Sequence, residues 1–229
     1  QIINNYVDGS QNSNSFILAN IREISPIITG NIFENINNLD DNFIKINHNV
    51  VDQIIIRNNT FSRFCCSSGS TKGAVSIVFP NKNNNSFQLF IESCIFYNNT
   101  NSRNDANKDG VFNYEDNDLE LVFESCRFEL NTCQNGKGCL YVSIERDLTV
   151  MSCTFYQNKA IETPSIYYDP KNTNSIILIS NSSFEEDVIK GGKPSYGILI
   201  AGGNATIDSS TFSFNKSINT NEAYGLIDL

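Results

Sequence analysis

The stretch DANKDGVFNYED, residues 105–116, holds the residue types that best fit a ligand site. Asp105, Asn107 and Asp109 place short oxygen side chains at alternate positions. Gly110 supplies a bend, Val111 a carbonyl, and Asp116 an acid at the twelfth place, which is the order of a calcium loop. Ca2+ is the one cofactor this pattern implies. Two features oppose it. The twelfth acid is the shorter Asp, and the residues after Gly110 read as a strand, which draws Asp116 away from the others. A plain Asn/Asp/Gly turn is the competing reading.

Other residues invite weaker chemistry. Glu92 and Glu124 recur in equivalent places of neighbouring repeats, with Arg57 one repeat earlier, so stacking would make an Arg57–Glu92–Glu124 column. Glu129 falls between Tyr97 and Tyr156 with Arg127 nearby, a carboxylate and tyrosine strip suited to a sugar. The competing reading of both is an ordinary solvated face. The single histidine, His48, lies in an Asn-rich stretch and reads as a loop residue. No catalytic set is expected.

Seven cysteines are present. Cys94, Cys126 and Cys153 share one repeat position and read as buried thiols acting as small hydrophobes. Cys65, Cys66, Cys133 and Cys139 fall in or beside loops. Cys133 and Cys139 can close CQNGKGC, and Cys65 or Cys66 can link repeats; the sequence assigns no connectivity. Sequons begin at Asn58, Asn84, Asn98, Asn181, Asn204 and Asn215, about as many as this composition produces by chance. If the protein is secreted, Asn84 is the best placed, with Asn98 and Asn204 also candidates. Asn215 is the worst, because it occupies a repeat position with a structural task.

Whatever positions these groups must be built from short β-branched runs such as QIIIR, SIILIS and AVSIVF, separated by polar turns. Asparagine is the compositional outlier at 35 of 229 residues. With a net charge of −9 and no basic stripe, a nucleic-acid partner is excluded. No apolar run approaches the length of a membrane span. There is no signal peptide, and the chain starts at Gln1 without Met, so it is expected to be part of a longer one.

The repeat sets the fold. Phe33, Phe61, Phe96, Phe128, Phe155, Phe184 and Phe212 are spaced by 28, 35, 32, 27, 29 and 28 residues. A bulky apolar residue stands five places before most of them (Ile56, Ile91, Phe123, Val150, Ile179, Ile207). Three before stands Asn or Ser, and two before an amide or small residue, Cys94, Cys126 and Cys153 among them. Three after stand Asn99, Asn131, Asn158 and Asn215, while Phe64 and Asp187 depart from the pattern. A second strand, often led by Gly, follows in KGAVSIVF, DGVFNYE, KGCLYVS and YGILIA. One period is too small to bury its own apolar surface, but stacked periods share a core. The expectation is an all-β fold, a right-handed single-stranded parallel β-helix of about seven coils, as one domain over 1–229, less regular over 1–50. Phe stacks on Phe, and Asn bonds Asn in the next turn. Leucine is too scarce for a leucine-rich repeat, and a β-propeller would use a longer period.

Gly-led strands alternating with Phe-x-x-Asn (KGAV; Phe96–Asn99, Phe128–Asn131, Phe155–Asn158, Phe212–Asn215) resemble the GGAI and FxxN repeats of the chlamydial polymorphic outer membrane proteins and similar protist surface proteins. The wider fold resembles pectin-lyase-like β-helices. The Gly half is degenerate, and TPSI lacks Gly altogether. The resemblance implies a surface domain acting in adhesion, without naming a receptor. The motifs NTD, GHG and RIK of pectin hydrolases do not occur. The expected function is a non-enzymatic extracellular or cell-surface domain, adhesive or a structural spacer, with a protein or glycan partner and end-to-end or lateral self-association open to it. A carbohydrate-active enzyme and an intracellular filament scaffold are the alternatives.

Overall fold

The computed structural model describes residues 2–8, 17–21, 27–36, 44–48, 53–66, 75–78, 87–102, 110–116, 119–134, 137–189, 195–213, 216–217 and 224–228. Every described element is a strand, and every described strand pairing is parallel. The chain is a parallel β-solenoid with four sheets, entered in the same order in each full coil. Sheet 1 stacks the apolar strands Ile2–Ile3, Ile27–Thr29, Gln53–Arg57, Phe87–Glu92, Leu119–Glu124, Leu148–Met151, Ile176–Ser180 and Asn204–Asp208. Sheet 2 stacks the three-residue strands centred on the Phe column, from Tyr6–Asp8 to Thr211–Ser213. Sheet 3 is built from two-residue strands such as Thr100–Asn101 and Thr132–Cys133. Sheet 4 holds the Gly-led strands, among them Phe112–Asp116 and Leu140–Ile144, together with Ile166–Tyr168, which Thr-Pro-Ser leads instead.

Three sheets are eight strands deep, one level more than the seven Phe markers imply. The extra level is N-terminal, where Val7 pairs with Phe33 and stands in for the ring. The short sheet 3 was also not foreseen, because two-residue strands carry no periodicity that a sequence can show.

Phe33, Phe61, Phe96, Phe128, Phe155, Phe184 and Phe212 form one continuous pile. Successive ring centroids lie 5.4, 5.1, 4.7, 4.7, 4.9 and 4.8 Å apart, with interplanar angles of 21° or less. The spacing is that of neighbouring strands, so the backbone ladder itself brings the rings to stacking distance. Phe112 of sheet 4 and Phe123 of sheet 1 close on the pile edge-on.

Two corners per coil turn the chain, and each uses a left-handed residue. Before the Phe strand these are Asn4, Gly30, Asn58, Ser93, Ser125, Ser152, Asn181 and Ser209; after it, Asn35, Arg63, Asn98, Leu130, Gln157 and Glu186. The Asn/Ser column three places before Phe is thereby explained, since a short polar side chain tolerates this conformation. The next residue in each corner points inward. After the Phe strand this is the asparagine ladder. Asn131 Oδ1 accepts from the Asn99 N–H (3.1 Å), and its Nδ2 donates to the Phe96 carbonyl (2.9 Å) and to Asn158 Oδ1 (3.0 Å). Asn99 and Asn158 repeat the arrangement, bonding Phe61 and Phe128. Each amide thus satisfies backbone groups that the bend takes out of the sheet.

The first corner has its own ladder. Asn59 Oδ1 accepts from the Asn31 N–H at 2.9 Å, and its Nδ2 donates to the Ile28 carbonyl at 2.8 Å. At the next levels Cys94, Cys126 and Cys153 stand in this column, with Sγ 3.5, 3.2 and 3.6 Å from the carbonyls of Ile56, Ile91 and Phe123. They are buried as expected, but they are also rungs in which a thiol does weakly what an amide does well.

Close approach between levels explains the Gly-led strands. A Cβ on Gly138, whose φ is +124°, would lie 2.3 Å from the Thr163 carbonyl oxygen. One on Gly110 would lie 2.7 Å from the Phe112 oxygen and 2.8 Å from the Tyr141 nitrogen.

Candidate functional surface

With the interior consumed by ladders and rings, chemistry is left to the outside of the coils and to a few irregular places. The outer face of sheet 1 is built from the alternate residues of its strands. Leu121 and Phe123 point inward, which turns Glu120, Val122 and Glu124 out. Register extends these into columns. The flanking one runs Arg57, Glu92, Glu124, Met151, Ser180 and Asp208. The predicted Arg57–Glu92–Glu124 alignment is therefore present.

On the opposite flank stand Gln53, Gln88 and Glu120, with Gln88 Nε2 donating to Glu120 Oε2 at 2.7 Å. Between the flanks runs a column that the sequence reading missed: Ile27, Ile55, Phe90, Val122, Thr149, Leu178 and Thr206. Most of these are half-buried among their neighbours. The signal was there to be read, because QIIIR and IILIS each place an apolar residue where strict alternation calls for a polar one.

Beside this face, where sheet 4 turns into sheet 1, Glu120, Glu145, Arg146, Asp147, Asn172, Asn174 and Ser175 line a cleft of about 370 Å³. Its shape is held by backbone. Asp147 accepts from the Ile176 N–H (2.8 Å), Ser175 Oγ donates to the Glu145 carbonyl (2.6 Å), and Tyr168 Oη donates to the Arg146 carbonyl (3.0 Å). Burial pushes the Tyr168 phenol up to about 12, so it donates throughout the physiological range.

On sheet 2, Tyr97, Glu129 and Tyr156 are register neighbours, as the strip required. Glu129 there is ion-paired with Arg127, and Glu34 takes both Arg63 and the Tyr6 hydroxyl. Both of these ion pairs, Arg63–Glu34 and Arg127–Glu129, lie on this sheet.

The remaining predicted sites fall as follows. Asp105, Asn107 and Asp109 lie outside the described residues, as do Asn84 and Asn215. Asp116 ends the strand Phe112–Asp116 opposite Ile144. Among the described residues no group of three His, Cys, Asp or Glu is placed to hold a metal ion. Asn98 is exposed and left-handed at a corner, and Asn204 is exposed at the start of its strand. The sequons at Asn58, Asn98 and Asn181 share a structural origin. A left-handed Asn, an inward rung and a Thr or Ser opening the next stretch reproduce the motif because the corner needs those types. Cys133 and Cys139 are both buried, and no disulfide joins the two.

The unforeseen residue is Asp187. It stands in the asparagine column, three places after Phe184, and is a rung rather than a gap. Its Oδ1 accepts from the Asn158 N–H at 2.7 Å and Nδ2 at 3.2 Å, and its Oδ2 from the Ser165 hydroxyl. Burial pushes this carboxyl up to about 7, against the lowering effect of those donors. Cys139 feels the same corner: burial, then the Asp187 charge and Cys133, hold its thiol well above the usual range. No helix among the described residues is long and apolar enough to cross a membrane. No family model, no curated protein and no solved structure matches the chain, so what stands is a parallel β-solenoid defined by its own register.

Proposed function

We propose that this domain is a non-enzymatic part of an extracellular or cell-surface protein, serving as an adhesive module and spacer for a protein or glycan partner. The observation that carries the reading is the strict register of the outer columns on sheets 1 and 2. A stack eight strands deep is about 34 Å long at the strand spacing and offers an extended, ordered surface along its length. The likeness of the Phe-x-x-Asn and Gly-led motifs to surface-protein repeats points the same way.

The test is the intact mass of the protein taken from its own source, native and reduced. Added hexose, with thiol protons lost to disulfides such as Cys133–Cys139, supports an outside location. An unmodified mass with seven free thiols refutes it and favours an intracellular filament scaffold. Calcium titration of the same material tests the loop at Asp105, Asn107, Asp109 and Asp116.

A carbohydrate-active enzyme is the second reading, and the cleft favours it. Glu120, Glu145 and Asp147 beside Arg146 are groups that an oligosaccharide would engage. Reducing ends released from a panel of polysaccharides, and lost in Asp147→Asn, would establish it.

A further inference from the structure

We propose that the outer face of sheet 1 docks a basic amphipathic helix of a partner polypeptide, lying along the solenoid axis; this rests on the reading of the domain as an interaction module. The face is an apolar ridge between two acidic margins. Ile27, Ile55, Phe90 and Leu178, each half-buried, form the ridge, which is interrupted at the buried Val122 (7% exposed) and at Thr149. Glu92, Glu124 and Asp208 stand on one margin; Glu120 stands on the other, and Asp147 precedes Leu148 on that side. Arg57 is the one cation in these columns. The Arg63–Glu34 and Arg127–Glu129 ion pairs lie elsewhere and touch neither Glu92 nor Glu124.

Dimensions choose the occupant. The margins are four residues apart along each strand, about 13 Å at the strand rise. A helix is about 10–12 Å across with its side chains, so it fits between them. Its apolar face would meet the ridge, while Lys or Arg on both sides would reach down to the carboxylates with their stems on the apolar surface. An extended strand would not serve, because its side chains alternate toward and away from the face rather than to left and right. From Ile27 to Leu178 is five strand spacings, about 24 Å, which about sixteen helical residues cover. With the protein at net charge −9, a second copy meets like charge at both margins, which argues against self-docking here.

The probe is a labelled Leu/Lys peptide of about eighteen residues with one apolar face, titrated with the purified chain by fluorescence anisotropy at low and moderate salt. Its controls are the same composition in an order without an apolar face, and a version with Glu for every Lys. Expected are binding of the amphipathic basic peptide alone, affinity falling with salt, and weakening of about tenfold or more in E92Q/E124Q and in F90S/L178S. All four positions face outward, and circular dichroism checks that each variant keeps its strands. Equal binding of the disordered-face control, or unchanged binding by both variants, overturns the proposal. So does a dimer in sedimentation that F90S abolishes, because the face would then be homotypic. Adhesion of the source protein that survives E92Q/E124Q also overturns it while leaving the proposed function standing. Peptide binding at this face by a protein whose native mass shows seven free thiols and no glycan has the opposite meaning: the surface reading falls and the docking site stands.

Discussion

Replacing Asp187 by Asn should make the solenoid more stable at pH 8 and remove this residue's share of the pH dependence between 4 and 8. Asp187 is 1% exposed and occupies a rung that Asn fills at three preceding levels, Asn99, Asn131 and Asn158. In the folded chain its carboxyl keeps its proton up to about 7; in the unfolded chain it gives the proton up near 3.8. Between those values the folded state binds more protons, so stability falls as pH rises from about 4 to about 7 and levels off above. The gap corresponds to on the order of 4 kcal/mol at ~1.4 kcal/mol per tenfold change, an upper bound for a single buried group. For a domain of this size that is roughly 10 °C in Tm.

Asn at position 187 keeps the acceptor for the Asn158 N–H and has no charge to desolvate. Its Nδ2 can donate to the Phe155 carbonyl, as the other rungs do one level earlier, or to Ser165 Oγ. Urea unfolding of both proteins, followed by tyrosine fluorescence at pH 4.5, 6 and 8, measures the effect; the chain has no tryptophan to interfere. The curves should converge at the lowest pH and diverge upward, with the variant more stable. Parallel curves, or a variant less stable at pH 8, would show that the donors around Asp187 outweigh its burial and would refute the reasoning.

Four further outcomes rest on the corners, ladders and close approaches. Asn131→Ala strands the Asn99 N–H and the Phe96 carbonyl and should lose about 2–6 kcal/mol in the same unfolding assay; a loss below about 1 would show that water replaces the amide. Gly138→Ala forces a Cβ against the Thr163 oxygen at positive φ and should lower Tm by several degrees or prevent folding, whereas Leu130→Asn, at φ +56°, should gain up to ~1 kcal/mol. Native alkylation at pH 8 read by mass spectrometry should label the half-buried Cys65 before Cys126 and Cys139, whose thiols burial holds protonated; early labelling of Cys126 would mean that the first corner opens.

Much of the architecture was legible in the chain because a solenoid repeats one physical problem. Each level must present a Phe to the pile, an Asn to the bend and an apolar residue to the core, so Phe96–Asn99, Phe128–Asn131 and Phe155–Asn158 recur in sequence as they do in space. The register of Glu92 with Glu124, and of Glu129 with Tyr97 and Tyr156, followed from the same spacing. Val7 escaped because a smaller side chain fills a ring's place at the end of the stack, where less apolar surface is buried.

The sequence by itself determined which residues share a column, because the chain must return to the same place once per coil. Only the tertiary structure decided what each column does. Whether Asp187 breaks the ladder or completes it depends on donors from Asn158, one level away, and from Ser165 on another sheet. Whether Ile55, Phe90 and Leu178 belong to the core depends on which way the strand is turned, and the ladder fixes that only when the neighbouring coils are in place. Side-chain environment in a solenoid is set by contacts between levels about thirty residues apart in the chain, so runs such as QIIIR and IILIS show an extra apolar residue without showing which of them faces outward.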